Sequence, residues 1–329
     1  MRRQGRIVFS FAAGFAQGAV GEAPTVVFRA DTKMRIASVS KMADGQSRCA
    51  SFSATPRACR ILTSTAWRRP AARKAFLTPA MWRPAEADPP GSACKYTNFG
   101  YSLAAHFLER ATNVRIDRLV AQSVFRGASL DCRFNWSGVP RARRQAGATL
   151  YAFEESIWQP KADGPAALAG ASPAILSETG FDLANYVPGT NGTLFSPQGG
   201  LRASLLDMLT IARLAASHPG MRQPVWTHDP AGVADDMDAG YFSVFTAGAQ
   251  LHPESDSPIR RLKLPGHHGE AYGLYSAAFH SQELDAEFAF AVTGTKSGGA
   301  ARTEPYPAVV KATDPLWKNV AEIIGSGAI

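Results

Sequence analysis

The chain has 329 residues, of which 45% are hydrophobic, so it can build a large core and is not a disordered protein. No apolar run approaches the roughly 20 residues that a membrane-spanning helix needs, so no integral membrane segment is expected. The net charge of +8 would suit a nucleic-acid partner. However, residues 42–88 alone hold eight basic and three acidic side chains. The rest of the chain is almost neutral and carries no nucleic-acid motif, so no nucleic-acid partner is expected.

The segment 42–88 is also poor in the residues that build cores. It contains only five Leu, Ile, Val or Phe, far below the roughly 20% that a packed core needs, and it shows no apolar periodicity. A stretch rich in Ala, Arg, Pro, Ser and Trp is typical of a GC-rich gene read out of frame. We hypothesise a frame disruption over about 42–88, which would be refuted if the other two reading frames encoded no Leu-rich helix.

The N-terminal segment has two interpretations. Its β-branched and aromatic residues 5–11, a turn at Gly14 and a second extended run over 24–29 predict a β-hairpin. The arginines that precede the apolar residues 7–9 would also suit a signal peptide. The hairpin is favoured because cleavage near Ala23 would leave little fold before the motif at Ser38, so the signal peptide is not convincing.

The remaining elements are predicted from periodicity. Helices are expected over 100–112, 116–125, 205–217 and 316–324, strands over 240–246, 272–279 and 287–293, and loops with short helices over 130–190. Strands near both termini with helices between them predict an α/β fold of the α+β type. Its antiparallel sheet would be built from both chain termini and flanked by helices, with a helical subdomain. We expect a single domain over 1–329, with the sheet part in about 5–41 and 190–329 and the helical part in about 90–190.

Metal and cofactor sites are not expected. The cysteines have irregular spacing and no C-x-x-C, so free thiols are favoured over a zinc site, and disulfides stay open; they are Cys49, Cys59, Cys94 and Cys132. The sequence His267-His268-Gly269-Glu270 could suggest a metal site. Adjacent histidines on a strand point to opposite faces, however, which argues against it.

The first motif that carries chemistry is S-x-x-K, formed by Ser38 and Lys41. Residues three apart on a helix share one face with Cβ atoms about 5–6 Å apart, so the lysine amine can reach the serine hydroxyl. This geometry allows Lys41 to act as a base, provided that burial and neighbouring positive charge help it to lose its proton near neutral pH. The motif alone also fits a capped helix with a solvated lysine.

Two further motifs follow in order along the chain. Lys95-Tyr96-Thr97-Asn98 supplies Y-x-N before a helix, and His267-His268-Gly269 supplies H-x-G. The ordered set resembles the serine β-lactamase and penicillin-binding-protein superfamily, specifically its class C-like branch of β-lactamases, DD-peptidases and esterases. The segments 34–42, 90–92, 195–204 and 266–273 are also similar to this family, and the resemblance covers about 5–41 and 90–329.

The resemblance implies acyl transfer by a serine hydrolase without a cofactor. Ser38 would attack a carbonyl carbon, Lys41 would take its proton, and Tyr96 would relay protons to the leaving group and help to activate water. Asn98 would hydrogen-bond the substrate, together with the segment His267, His268, Gly269 and Glu270. Backbone N–H groups of Ser38 and Glu270 would hold the oxyanion.

Each assignment has a structural alternative. Tyr96 could be a core tyrosine, Asn98 could cap the helix that begins near Gly100, and Ser40 is a rival nucleophile that lacks the three-residue spacing to Lys41. The family normally continues S-x-x-K with a long Leu- and Ala-rich helix and a Ser-His-x-Ser-Gly-like signature, and neither is present here. The second hypothesis is therefore a catalytically inactive protein of the same fold.

The expected partner is a small-molecule or peptidoglycan-like substrate, such as a β-lactam, a D-amino-acid peptide or an ester. The resemblance implies a periplasmic or secreted location, with the cytoplasm as the alternative because no convincing signal peptide is seen. The choice of carbonyl substrate and the oligomeric state cannot be derived from the residues. Substrate choice would depend on the loops over about 130–200.

Overall fold

A computed structural model describes residues 1–17, 26–45, 98–134, 139–140, 142–143, 146–161, 185–228, 243–259, 262–295 and 315–322. The strands are β1 (Arg2–Arg3), β2 (Arg6–Ile7), β3 (Phe15–Gln17), β4 (Val26–Val27), β5 (Met34–Arg35), β6 (Tyr151–Glu154), β7 (Ile157–Pro160), β8 (Arg202–Ala203), β9 (Pro224–Thr227), β10 (Val244–Thr246), β11 (Gln250–His252), β12 (Leu264–Ala271), β13 (Leu274–Ser281) and β14 (Ala286–Val292). The helices are α1 (Ser40–Gly45), α2 (Asn98–Thr112), α3 (Ile116–Val120), α4 (Leu205–Ser217) and α5 (315–322). Most of the anomalous segment, residues 46–88, lies outside the described residues.

An antiparallel sheet of eight strands organises the molecule, in the order β2-β1-β14-β13-β12-β11-β10-β9. The strands from the N-terminus pair with the last strand, since Arg2 lies opposite Glu287 in β14. The expectation of one sheet built from both chain termini and flanked by helices is therefore confirmed.

Both faces of the sheet are covered. All eight residues of β13 are buried, which is unusual for an antiparallel strand unless elements pack on each side. One core cluster contains α4 residues such as Met208 and Ile211. The other contains Phe279, Phe288 and Trp317 from β13, β14 and α5. The central strands are thus held rigidly, which suits them to position a site.

The predicted helices over 100–112, 116–125 and 205–217 are confirmed. The second continues from α3 into a π-helical turn, Ala121–Phe125. Helix α4 has the predicted bounds because Ser204 and Asp207 form a capping box at its start. Its predicted apolar side, including Met208, Leu209 and Ile211, is buried against the sheet.

The predicted N-terminal hairpin is wrong in its pairing. Strand β2 pairs with β1 rather than with the segment 24–29, and β4 pairs with β3. A tight turn at Gln4 and Gly5, with φ of 49° and 77°, closes the β1–β2 hairpin. The pattern of apolar residues marked extended chain correctly, but this short turn had no strong signal in the sequence.

The loop expectation for 130–190 is wrong at one place, where β6 and β7 form a hairpin. Glu155 and Ser156 make its two-residue turn with φ of 50° and 66°, a conformation typical of such turns. Phe153 and Trp158 lie opposite each other with ring centroids 5.1 Å apart. This cross-strand aromatic pair stabilises a hairpin that the local composition concealed.

The C-terminal elements agree broadly with expectation. Strands β13 and β14 correspond to the predicted 272–279 and 287–293, and β10 covers the end of 240–246, whose residues 240–242 lie outside the description. In α5 the buried residue is Trp317, whereas Leu316 is 37% exposed. None of the described helices is long and apolar enough to cross a membrane.

Candidate active site

The turn before α1 presents Ser38. A single 3-10 turn, Ala37–Val39, links β5 to α1, and Ala37 has a left-handed φ of 47° that side chains other than glycine rarely adopt. Two hydrogen bonds brace it, since the Ile36 N–H donates to Leu201 O at 3.1 Å and the Ser276 hydroxyl donates to Ile36 O at 3.0 Å. The surrounding sheet therefore imposes the conformation that projects Ser38.

Ser38 and Lys41 are in direct contact. The Lys41 Nζ donates to Ser38 Oγ at 2.7 Å and to Asn98 Oδ1 at 2.8 Å. Its side chain is fully buried, and its Nζ lies 5.4 Å from the centre of the Tyr101 ring. A buried amine within hydrogen-bond distance of a serine hydroxyl can exchange a proton with it.

The rival nucleophile Ser40 is placed differently. It is fully buried, and its Oγ accepts a hydrogen bond from the Leu201 N–H at 3.1 Å. Ser38 is partly exposed. Ser38 is therefore the more accessible of the two hydroxyls, whereas Ser40 holds the loop that contains Leu201.

Helix α2 supplies the next part of the site. Asn98 is its first residue, and the Asn98 side chain bonds to Lys41. Tyr101 lies three residues further along and therefore on the same face. The sequence motifs predict no role for Tyr101, although its three-residue spacing from Asn98 is a usable signal. Tyr96, the third predicted catalytic residue, lies outside the described residues.

Strand β12 passes very close to the Ser38 turn at Gly269. A Cβ atom built on Gly269 would lie 2.6 Å from Ile36 O and 3.1 Å from the Ser38 backbone N. No larger residue fits without displacement of the backbone. The backbone of β12 thus runs beside the Ser38 N–H, and Glu270, the second predicted oxyanion donor, is the next residue.

His267 is buried at 2% exposure and is held as a neutral imidazole. Burial, together with the positive charge of Lys41, lowers the pKa of His267 to about 3. The backbone carbonyl of His268 accepts from His267 Nδ1. The proton is therefore on Nδ1, and Nε2 is the acceptor nitrogen of the ring.

His268 points to the other face of the sheet. Its Nε2 lies 2.9 Å from His252 Nε2 and its Nδ1 lies 2.7 Å from the Tyr275 hydroxyl. Its ring packs 4.8 Å from that of Phe279. The structure thus brings together Ser38, Lys41, Asn98, His267 and Gly269, and places His268 in the core on the opposite side.

In the described part of the chain, no group of three or more His, Cys, Asp or Glu side chains could hold a metal ion.

The Beta-lactamase family model matches residues 62–312, about three quarters of the chain. The chain belongs to the beta-lactamase family. The match begins after Ser38 and Lys41, so it does not test their assignment, and it includes part of the segment 42–88. None of the curated proteins matches the sequence.

Solved structures of this family share the fold at low identity. The octameric penicillin-binding protein homologue from Pyrococcus abyssi aligns with a TM-score of 0.59 and 14% identity, over 91% of this chain and 69% of that one. A beta-lactamase/D-alanine carboxypeptidase from Pseudomonas syringae aligns with a TM-score of 0.58 and 13% identity, over 96% of this chain and 91% of that one. D-amino acid amidase from Ochrobactrum anthropi SV3 aligns with a TM-score of 0.56 and 14% identity, over 94% of this chain and 88% of that one. At these identities the likeness shows the beta-lactamase fold.

Proposed function

We propose that this beta-lactamase family protein is a serine hydrolase that forms an acyl-enzyme on Ser38. The observation that carries the proposal is the 2.7 Å contact between Ser38 Oγ and the buried Lys41 Nζ. The substrate class is a carbonyl compound: a β-lactam, a D-amino-acid peptide or an ester. The resemblance to a D-alanine carboxypeptidase and a D-amino acid amidase supports this class.

The first half-reaction transfers the acyl group. Only the deprotonated form of Lys41, which lacks the positive charge that acts on His267, can serve as the base in this step. Ser38 Oγ attacks the carbonyl carbon while its proton passes to Lys41 Nζ, and the carbonyl oxygen becomes an oxyanion. The backbone N–H groups of Ser38 and Glu270 donate to that oxygen. The tetrahedral intermediate then collapses, the bond to the leaving group breaks, and the leaving group takes up a proton, which we assign to Tyr96.

The second half-reaction restores the enzyme. Water attacks the ester carbonyl of the acyl-enzyme and gives up a proton to the Tyr96 oxygen, which lost one to the leaving group. The bond to Ser38 Oγ then breaks, and Ser38 Oγ takes back the proton that Lys41 holds. Asn98 and neutral His267 lie beside Lys41. We assign His267 Nε2 as the atom that accepts a hydrogen bond from a substrate N–H or O–H. Since bacteria keep peptidoglycan outside the cytoplasm, a peptidoglycan-like substrate would agree with a periplasmic or secreted location, which stays a prediction.

The test is intact-mass spectrometry of the purified protein after incubation with a fluorophosphonate and, separately, with penicillin. We expect a mass increase of one adduct in the wild type and none in Ser38→Ala, together with turnover of a p-nitrophenyl ester or a chromogenic cephalosporin. Ser196→Ala, which removes another partly exposed hydroxyl, is the matched control and should be labelled normally. An unlabelled, inactive wild type would favour the inactive protein of the same fold.

A further inference from the structure

A second cleft, of about 620 Å³, is separate from the Ser38 site. It is lined by residues from the chain before β5, from the segment that follows the π-helical turn, and from β8. Its lining does not include Ser38, Lys41, Asn98 or His267. The cleft therefore has its own chemistry, which the acyl-transfer proposal does not use.

The charge of the lining is strongly positive. Among the described residues, five basic side chains line the cleft, namely Arg29, Lys33, Arg133, Arg143 and Arg202, and two acidic ones, Asp31 and Asp131. Lys33 forms an ion pair with Asp207 outside the lining. Even with Asp207 included, the basic residues of this described set exceed the acidic ones by two.

The guanidinium groups are arranged around a shared carboxylate. Asp131 accepts from Arg133 at 2.9 Å and from Arg143 at 3.1 Å, so one negative charge faces two positive ones. Each guanidinium keeps N–H donors that this single carboxylate does not use. The Arg143 side chain is 68% exposed and the Arg133 side chain is 44% exposed, so both can turn toward a ligand.

Arg29 adds a further cation at the cleft. Its side chain is exposed, and within the described ranges no ion pair or side-chain hydrogen bond involves its guanidinium. Arg202, by contrast, is buried and donates to the backbone carbonyls of Phe134 and Gly200. Arg29, Arg133 and Arg143 are thus exposed at the cleft, whereas Arg202 is buried and held by the backbone.

We propose that this cleft binds a small phosphorylated molecule through its phosphate group, with Arg29, Arg133 and Arg143 as the ligands. An arginine guanidinium can donate two parallel hydrogen bonds to the oxygens of a phosphate. The excess positive charge of the cleft suits a dianion better than a monocarboxylate. The volume falls in the usual range of small-molecule sites and exceeds what a bare ion needs. The apolar lining residues Val26, Val27 and Val139 would contact the organic part.

Isothermal titration of the full-length protein tests this proposal, with inorganic phosphate, glycerol 3-phosphate and acetate as the probes. We expect glycerol 3-phosphate to bind more tightly than phosphate, and both to bind at least ~10-fold more tightly than acetate. Arg29→Glu and Arg143→Glu should each weaken binding of glycerol 3-phosphate by ~10-fold or more. Both residues are exposed, so circular dichroism should show an unchanged fold.

Two controls separate the cleft from other sites. Arg126→Glu reverses the charge of another exposed arginine and should bind glycerol 3-phosphate as the wild type does. Ser38→Ala should also bind it normally, because the cleft does not include Ser38. The proposal is overturned if neither phosphate compound binds at millimolar concentration, if acetate binds as tightly, if either cleft variant binds as the wild type does, or if Ser38→Ala abolishes binding.

Discussion

His267 and His268 are neighbours on β12, both almost fully buried, yet their surroundings differ completely. Burial lowers the pKa of each. His267 also lies near the charge of Lys41, whereas His268 lies near His252 and bonds to Tyr275. A buried histidine with a depressed pKa is thus not by itself the sign of an active site. Strand alternation decides which of the two can contact a substrate.

The elements behind each histidine explain this division. The Ser38 turn lies against β12 at Gly269, on the face that contains His267, and it contributes polar groups. On the other face, Phe279 and Phe290 each pack edge to face with Trp317, and Phe279 also packs against His268, which is part of the core. Substitutions on the first face should change catalysis, and those on the second should change stability.

The largest effect on catalysis short of removal of Ser38 is expected for Lys41→Met. Loss of the only base in contact with Ser38 Oγ among the described residues should lower the acylation rate by ~10³-fold. Stability should change little, because an apolar side chain of similar length replaces a buried amine. Stopped-flow acylation by a chromogenic ester measures this. Lys263→Met, at an exposed position, is the control, and a loss below ten-fold would contradict the role of Lys41.

Gly269→Ala should have the next largest effect. Its new Cβ would meet Ile36 O at 2.6 Å and push the Ser38 turn away from β12. Displacement of an oxyanion donor typically costs about 100-fold in rate. Gly127→Ala is the matched control, since a Cβ there meets nothing within 4 Å. Equal acylation rates in the two variants would show that the close approach of β12 is not needed for the reaction.

A paired comparison of His267→Ala and His268→Ala tests the division between the two faces. We expect the first to lower the acylation rate by ~10-fold, because a substrate acceptor is lost. The second should keep the rate of the folded protein but lower its free energy of unfolding by about 3 kcal/mol, since Tyr275 and His252 lose a buried partner. Urea denaturation and acylation kinetics measure the two quantities. The division between the two faces would be contradicted if His268→Ala lowered the acylation rate and His267→Ala lowered only the free energy of unfolding.

The pH dependence of stability gives the smallest effect. Both histidines have a lower pKa in the folded chain than the ~6.5 of the unfolded chain, so below that pH the unfolded chain binds more protons. The stabilising contribution of each is complete above pH 6.5 and is lost as the pH falls below it. For His267, whose pKa in the folded chain is about 3, the loss should reach about 2 kcal/mol by pH 5. The free energy of unfolding of His267→Ala should therefore vary less with pH than that of His228→Ala, and equal slopes would contradict the low pKa.

The local periodicity of helices and strands explains which features could be predicted from the sequence. The bounds of α4 follow from its apolar period and its capping box, and the contact of Ser38 with Lys41 follows from helical spacing. The opposite orientation of His267 and His268 follows from their adjacency on a strand. Residue order alone could not show that β2 pairs with β1, because the pairing of two-residue strands depends on a turn at Gln4 and on the sheet edge beside β14. The β6–β7 hairpin could not be predicted either, because its turn residues Glu155 and Ser156 are not the Asn or Gly that mark such turns in a sequence.

We propose that Ser38, and not the neighbouring Ser40, is the nucleophile. Peptide mapping by tandem mass spectrometry of the fluorophosphonate-labelled protein tests it directly, because the fragment ions assign the adduct to one side chain. The account predicts an adduct on Ser38 in the wild type and no adduct on any serine in Ser38→Ala. An adduct on Ser40, or labelling that persists in Ser38→Ala, would contradict it.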